Sequence, residues 1–271
     1  MPFDGLLPPV IGHRGVAACA PENTLAGLRK AKELGCRWVE FDVRLTADRQ
    51  LILLHDQRLE RTTDGRGKAI ALPLATIRRS DAGCRFSISF RGEQVPTLAE
   101  AVAVLGELGI GANIELKAAH GRGAETGALA SAMLRQLWPR PLPEPLVSSF
   151  DHEALAGARA DNPEVVLGLL FHVVPENWRP IAESLGCSTI HANHRRLHPA
   201  LVTDIRDAGY PVLAYTVNDT LRARTLFSWG VTSVFSDVPH IILGAATGSD
   251  AHHLAANHLN PTAGSRQGTA S

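Results

Sequence analysis

Seven ionisable residues stand at or near the ends of apolar runs. "WVEFDVRL" carries Glu40 and Asp42 two positions apart, and "GIGANIELK" carries Asn113, Glu115 and Lys117 at the same spacing. "LILLHD" delivers His55, and "VIGHRG" ends in His13 and Arg14. On an extended strand, side chains at i and i+2 project to one face, so Glu40 points with Asp42, and Glu115 with Asn113 and Lys117. Three carboxylates converging from two strands repel one another unless a cation lies between them. An all-oxygen donor set favours one divalent ion, Mg²⁺ or Ca²⁺, over zinc, with Mn²⁺ as a further candidate.

The remaining residues fit a phosphate held beside that cation. Arg14 offers a planar fork of donors for phosphate oxygens, and Lys117 adds a point charge. His13 and His55 titrate near neutrality and can divide the roles of general acid and general base. Gly12 and Gly15 allow a sharp turn around His13 and Arg14 and are expected to leave room for a ligand. Cation, positive side chains and a paired acid and base suit phosphodiester cleavage better than acyl or hydride transfer.

Such residues need a scaffold that gathers strand ends. Apolar strand-like runs recur at 9–13, 38–44, 51–55, 111–117, 146–150, 165–172, 189–193, 212–217 and 233–237. Amphipathic helical stretches lie between most of them. "NTLAGLRKAKELG" is capped by Asn23 or Thr24 and "TLAEAVAVLGELG" by the Thr97/Glu100 capping-box spacing; Asn218 or Asp219 opens "NDTLRARTLFSWG". Strand–helix alternation implies a mostly parallel sheet. Counting 51–55 as a hairpin extension of its predecessor leaves eight strands, which predicts an α/β fold of the TIM (β/α)₈ barrel type with a small insertion after the second strand. An open doubly wound sheet is the alternative, but no Gly-x-Gly-x-x-Gly follows the first strand. In a barrel, the active site lies at the strands' C-terminal ends, where the seven residues stand.

The predicted barrel spans 1–243, with an insertion at about 57–95 over one face; 244–271 reads as a disordered tail of small and polar residues. The 271-residue chain is 45% hydrophobic, and its 27 basic and 27 acidic residues cancel. That balance gives no support to nucleic-acid binding. The start "MPFDGLLPPVIG" has no basic leader segment, and no apolar run approaches the ~20 residues of a membrane span. The four cysteines are scattered without metal-ligand spacing, as expected of reduced thiols, and a cytoplasmic monomer or homodimer without stable membrane insertion is expected.

Taken in order, "GHRG" with "PENT", "VEFDVRLTADRQLILLHD", "TTDGRGK", "DAG", "GEQVPTLAEAV", "NIELK", "AYTVND" and "FSDVP" resemble the glycerophosphodiester phosphodiesterases from about Ile11 to Pro239. The resemblance implies metal-dependent hydrolysis of a small glycerophosphodiester to an alcohol and sn-glycerol 3-phosphate. Carried over by position, it makes Glu40, Asp42 and Glu115 metal ligands, His13 and His55 the acid–base pair, and Arg14 and Lys117 phosphate contacts. Tyr215 stands where the family usually has Trp, and its added hydroxyl is expected to alter substrate contacts. Asn193, at a strand end, is a further candidate substrate contact.

Other residues read as structural. Glu22 in "PENT" is expected to organise the entry to the first helix. His191, His194 and His198 cluster in "IHANHRRLH" but lack a carboxylate partner. Phe150 and Trp178 are core candidates or pocket walls. Two further functions remain open: a lysophospholipase D-like phosphodiesterase acting on long-chain lipids, and a non-catalytic phosphate-binding barrel. All three carboxylates and both histidines are present, which favours an enzyme.

Overall fold

The computed structural model describes residues 7–247. Nine strands form one sheet: β1 (Val10–Gly12), β2 (Trp38–Leu45), β3 (Leu51–Leu53), β4 (Gly111–Leu116), β5 (Leu146–Ser149), β6 (Val166–Phe171), β7 (Thr189–Asn193), β8 (Val212–Tyr215) and β9 (Ser233–Ser236). The helices are α1 (Leu25–Glu33), α2 (Leu74–Ile77), α3 (Leu98–Leu108), α4 (Gly123–Leu137), α5 (His152–Asp161), α6 (Trp178–Leu185), α7 (Pro199–Asp207), α8 (Thr220–Ser228) and α9 (Pro239–Thr247). β1 pairs in parallel with both β2 and β9, and this closes eight parallel strands into a barrel. β3 pairs antiparallel with β2. The expected TIM barrel is the one observed.

The two faces of each strand feed two cores. Outward residues such as Val39, Phe41, Ala112 and Ile114 pack under the helices. Inward residues Ile11, Trp38, Leu146, Leu213 and Phe235 fill the barrel, so its floor is solid. Trp38 takes this place because Gly111 faces it across the ladder: a Cβ on Gly111 would fall 2.4 Å from the indole ring. His191 fills the same interior, against Phe235.

Local signals set the helix starts. Thr24 accepts a hydrogen bond from the Gly27 amide and caps α1; Thr97 and Glu100 form a reciprocal capping box on α3. Asp219 caps α8, which frees Asn218 for another role.

After β3 the chain leaves the barrel. It folds α2 and two short 3₁₀ turns around a small core of Ile52, Leu54, Leu59, Ala69, Ile77, Ala82 and Val95. It returns where the Leu53 amide donates to the Pro96 carbonyl at 2.8 Å. Helix α9 continues to Thr247, so the first residues of the expected tail are helical. The rest of that tail lies outside the described residues. Among the described residues, no helix is long and apolar enough to cross a membrane.

Candidate active site

Strand register builds the carboxylate cluster. Glu40 sits opposite Asn113, and Asp42 opposite Glu115, in the β2–β4 ladder. Both pairs share the inward phase of Trp38, but lie nearer the strands' C-terminal ends. The three carboxylates are buried and offer oxygens that all lie within 4.8 Å of one another. Asn23 grips Asp42 from both sides: its Nδ2 donates to Asp42 Oδ2 at 2.9 Å, and its Oδ1 accepts from the Asp42 amide at 3.0 Å. Glu40 Oε2 accepts from the Arg14 amide at 2.8 Å.

That last contact explains the "GHRG" turn. Arg14 is held at φ +50°, a left-handed conformation that costs a non-glycine residue about 1–2 kcal/mol. A Cβ on Gly12 would lie 2.2 Å from the Gly15 carbonyl oxygen, and one on Gly15 would lie 2.8 Å from the Gly27 backbone. The space beside the two glycines is therefore filled by the protein's own backbone. The expected turn is present, but those glycines do not open room for a ligand.

The cluster is electrostatically incomplete. Burial, with Asp42 close by, pushes the Glu40 carboxyl above the usual carboxylate range, and burial also raises Glu115. Burial opposes ionisation of Asp42 as well, but Lys117, Arg14 and His55 outweigh it and lower its pKa. The Lys117 ammonium pairs with Glu115 and lies 3.5 Å from Asp42; Arg14 Nε is 3.5 Å from Asp42. Glu40 Oε1 is buried with no hydrogen-bond partner, as is Asn113 Oδ1. A buried, orphaned carboxylate oxygen facing two further carboxylates fits a hard divalent cation.

Two histidines flank the cluster, each fixed by a carboxylate. His13 Nδ1 lies 2.6 Å from Asp237 Oδ1, and its Nε2 lies 3.9 Å from Glu40 Oε2. His55 Nδ1 lies 2.7 Å from Asp56 Oδ1. Ionised carboxylates only accept, so both Nδ1 atoms carry protons and each Nε2 is the atom left for chemistry. Burial disfavours the His13 imidazolium, but the Asp237 hydrogen bond and the Glu40 charge outweigh it and raise the pKa. For His55, burial together with Arg14 and Lys117 prevails over Asp42 and Asp56, and the pKa falls.

A further layer holds these partners. Asn218 donates to Asp237 Oδ2 at 2.7 Å, and its Oδ1 accepts from the Asp237 amide. Arg61 reaches both Glu22 oxygens at 2.7 Å and Asp56 Oδ2 at 2.6 Å, and Glu22 in turn accepts from Arg14 at 2.9 Å. Glu22 thus ties the Arg14 side chain to the His55 loop; its role is not confined to the helix entry. Arg44 binds the carbonyls of His55 and Lys117 with one guanidinium.

The outer candidates divide. Phe150 packs edge-to-face on Tyr215 at 5.9 Å, and its ring centroid lies 5.3 Å from Lys117 Nζ, so these aromatics wall the site. The Tyr215 hydroxyl donates to the Phe171 carbonyl at 2.8 Å, so the phenol presents its ring inward and not a free donor. Asn193 ends β7, but its side-chain oxygen caps the following turn through the Arg195 amide. His191 is fully buried at the barrel centre, His198 caps α7, and Trp178 bonds Asp204 on the outer layer. None of these three joins the carboxylate cluster. Sequence reasoning missed Asp56, Asp237, Asn218, Arg44 and Arg61. The one signal for the first two was an Asp directly after His55, and an Asp in phase with Phe235 at the end of β9.

Comparison with known proteins agrees with this geometry. The family model for the glycerophosphoryl diester phosphodiesterases matches residues 13–241. A glycerophosphodiester phosphodiesterase from Caldanaerobacter subterraneus subsp. tengcongensis is 30% identical over 86% of this chain and 96% of its own. A phosphodiesterase from Oleispira antarctica, solved in complex with the product sn-glycerol-3-phosphate, superposes with a TM-score of 0.86 at 42% identity, covering 88% of this chain and 96% of that one. A glycerophosphodiester phosphodiesterase from Agrobacterium tumefaciens gives 0.74 at 27% identity, covering 88% of this chain and all of its own. A carboxylate cluster flanked by two carboxylate-held histidines thus stands on a barrel matched almost end to end, and the chain belongs to the glycerophosphoryl diester phosphodiesterase family.

Proposed function

We propose that the protein hydrolyses small glycerophosphodiesters to an alcohol and sn-glycerol 3-phosphate, using one divalent cation and the pair His13 and His55. The observation that carries this reading is the placement of two fixed imidazoles around three buried carboxylates whose oxygens lie within 4.8 Å of one another. The product held by the Oleispira relative supports the substrate class.

Charge balance supports the metal. Glu40, Asp42 and Glu115 face Arg14 and Lys117, which leaves one net negative charge when all are ionised. A divalent ion reverses that sign, and a singly charged phosphodiester then neutralises the site. Glu40, Asp42 and Glu115 would hold the ion, Mg²⁺, Ca²⁺ or Mn²⁺, which would supply Lewis-acid polarisation of the phosphoryl oxygens. Arg14 and Lys117, which stand beside Asp42 at 3.5 Å, would stabilise the non-bridging oxygens as their charge grows. One histidine Nε2 removes the proton of the attacking water, or of the substrate's own glycerol hydroxyl, while the other protonates the departing alkoxide; the hydroxyl route passes through a cyclic phosphate that water then opens to sn-glycerol 3-phosphate. Each such transfer contributes about 10²–10⁴-fold. Phe150 and the Tyr215 ring face the glycerol carbons, with Asn193 at the rim. The four free cysteines are in keeping with a cytoplasmic enzyme, working as a monomer or homodimer.

The test is a panel of glycerophosphocholine, glycerophosphoethanolamine, glycerophosphoglycerol and lysophospholipids, given to metal-stripped protein with Mg²⁺, Ca²⁺ or Mn²⁺ restored singly. Release of sn-glycerol 3-phosphate only after metal return is the expected result. Turnover of lysophospholipids alone, or metal-independent turnover, refutes the reading.

A further inference from the structure

Beside the carboxylate cluster runs a second feature, of which the proposed reaction uses Lys117 alone. A cavity of about 390 Å³ opens past Lys117 and is lined by Arg44, Gln57, Lys68, Lys117, His120 and Arg122, among others. Its lining contains no Asp or Glu among the described residues. Arg44 donates its hydrogen bonds to backbone carbonyls, and Asp42, Asp56 and Glu115 offset part of its charge through space. Arg122 shares Glu125 with Arg49, and Lys68 has no ion-pair partner among the described residues. The positive charge along this groove is therefore only partly compensated. The groove also lies between the barrel and the insertion that carries Gln57 and Lys68, so it is a built cleft and not an open face.

A phosphodiester seated at the cluster sends two arms away from phosphorus. On one side of Lys117 stand Phe150 and Tyr215, uncharged rings suited to the carbon edge of glycerol. On the other side the groove is cationic. We infer that this groove is the subsite for the alcohol arm, and that it selects arms bearing an additional anionic group, such as a second phosphate, over cationic arms such as choline. This rests on the phosphodiesterase reading above and adds the substrate class to it. A choline arm there meets like charge with no Phe, Tyr or Trp ring among the lining residues to receive it, whereas an anionic arm meets Lys68 and Arg122.

The experiment compares bis(glycerophospho)glycerol, glycerophosphoglycerol and glycerophosphocholine on the metal-loaded enzyme at low and high salt. The expected kcat/KM favours the anionic arm over choline by about tenfold at low salt, chiefly through KM, and the preference shrinks as salt screens the groove. Lys68→Glu and Arg122→Gln each reduce that ratio, with melting temperature as the check on folding. Equal kcat/KM for all three substrates, or a preference that survives both substitutions, overturns the inference while leaving the phosphodiesterase reading intact. Absence of turnover on every substrate overturns both.

Discussion

His13 Nδ1 and Asp237 Oδ1 meet at 2.6 Å although 224 positions separate them in the chain. The contact exists because β1 pairs with β9, so closing the barrel also assembles the pair. Asp237 fixes the ring so that Nε2 faces Glu40, and it is a positioning residue for His13. Asp237→Asn removes an anion that helps hold the imidazolium, so the ionisation of His13 should move to lower pH. A pH–rate profile reads this as a displaced limb. An unmoved limb with normal turnover argues that Asp237 serves barrel closure alone.

Glu40 and Glu115, whose ionisation burial opposes, destabilise the metal-free protein at neutral pH. Glu40→Gln removes one charge from a site where burial and Asp42 already oppose ionisation. The metal-free variant should therefore melt at or above the wild type near neutral pH. The wild type should gain melting temperature on metal addition, by about 2.7 kcal/mol of stability at a hundredfold excess over Kd, while the variant gains little. Calorimetric titration should show weaker metal binding for Glu115→Gln too. Equal metal responses in wild type and both variants exclude the cluster as the binding site.

Arg61 connects loops that the sequence gives no reason to join. Its guanidinium spans Glu22 and Asp56, and so orders both Arg14 and His55. Arg61→Ala should lower kcat about tenfold or more with little change in melting temperature, because the residue is half exposed and surface pairs contribute little to stability. Arg61→Lys should restore part of the loss, since an ammonium cannot reproduce the two-sided fork. Full activity of Arg61→Ala would show that the two loops are ordered without it.

The parts that could be read in the sequence were those fixed by local period. The i, i+2 phase of Glu40 and Asp42, and of Asn113 and Glu115, predicted one shared face, and the β2–β4 register supplied it. The capping box on α3 is local in the same sense. Asp237, Asn218 and Arg61 act across loops or across barrel closure, and no periodicity announces such contacts. Gly12 and Gly15 depart from the expected open space for a related reason: the atoms beside them belong to Gly15 itself and to Gly27 on α1. The hydroxyl of Tyr215 is expected from sequence to alter substrate contacts, but β6 brings the Phe171 carbonyl to it.

His191 predicts the acid limit of the fold. Burial in the barrel centre drives its pKa from 6.5 down to about 3, so the folded state keeps it neutral. The unfolded chain takes up a proton below about 6.5, and stability falls as pH drops from there towards 3. One such group contributes about 1.4 kcal/mol of loss per pH unit across that window. His191→Gln should flatten the dependence of melting temperature on pH between 6.5 and 4, at some cost in stability at pH 7.5. An unchanged slope would assign acid sensitivity to other groups.

The histidine pair carries the sharpest test. His13→Ala and His55→Ala should each lower turnover by about 10²-fold or more while the protein stays folded, since neither ring belongs to the interior layer of Trp38 and Leu213. If both groups act in one concerted displacement, the double variant should lose much less than the product of the two losses. A nitrophenyl phosphodiester, whose leaving group needs no proton, should restore only the variant that lacks the general acid. The restored variant therefore assigns the roles. Wild-type and variant profiles should agree with that assignment: the wild type should show a bell-shaped pH dependence with both ionisations of the pair, and each single variant should keep one limb. Near-native turnover in both single variants would make the two rings structural and leave the carboxylate cluster without a proton-transfer partner.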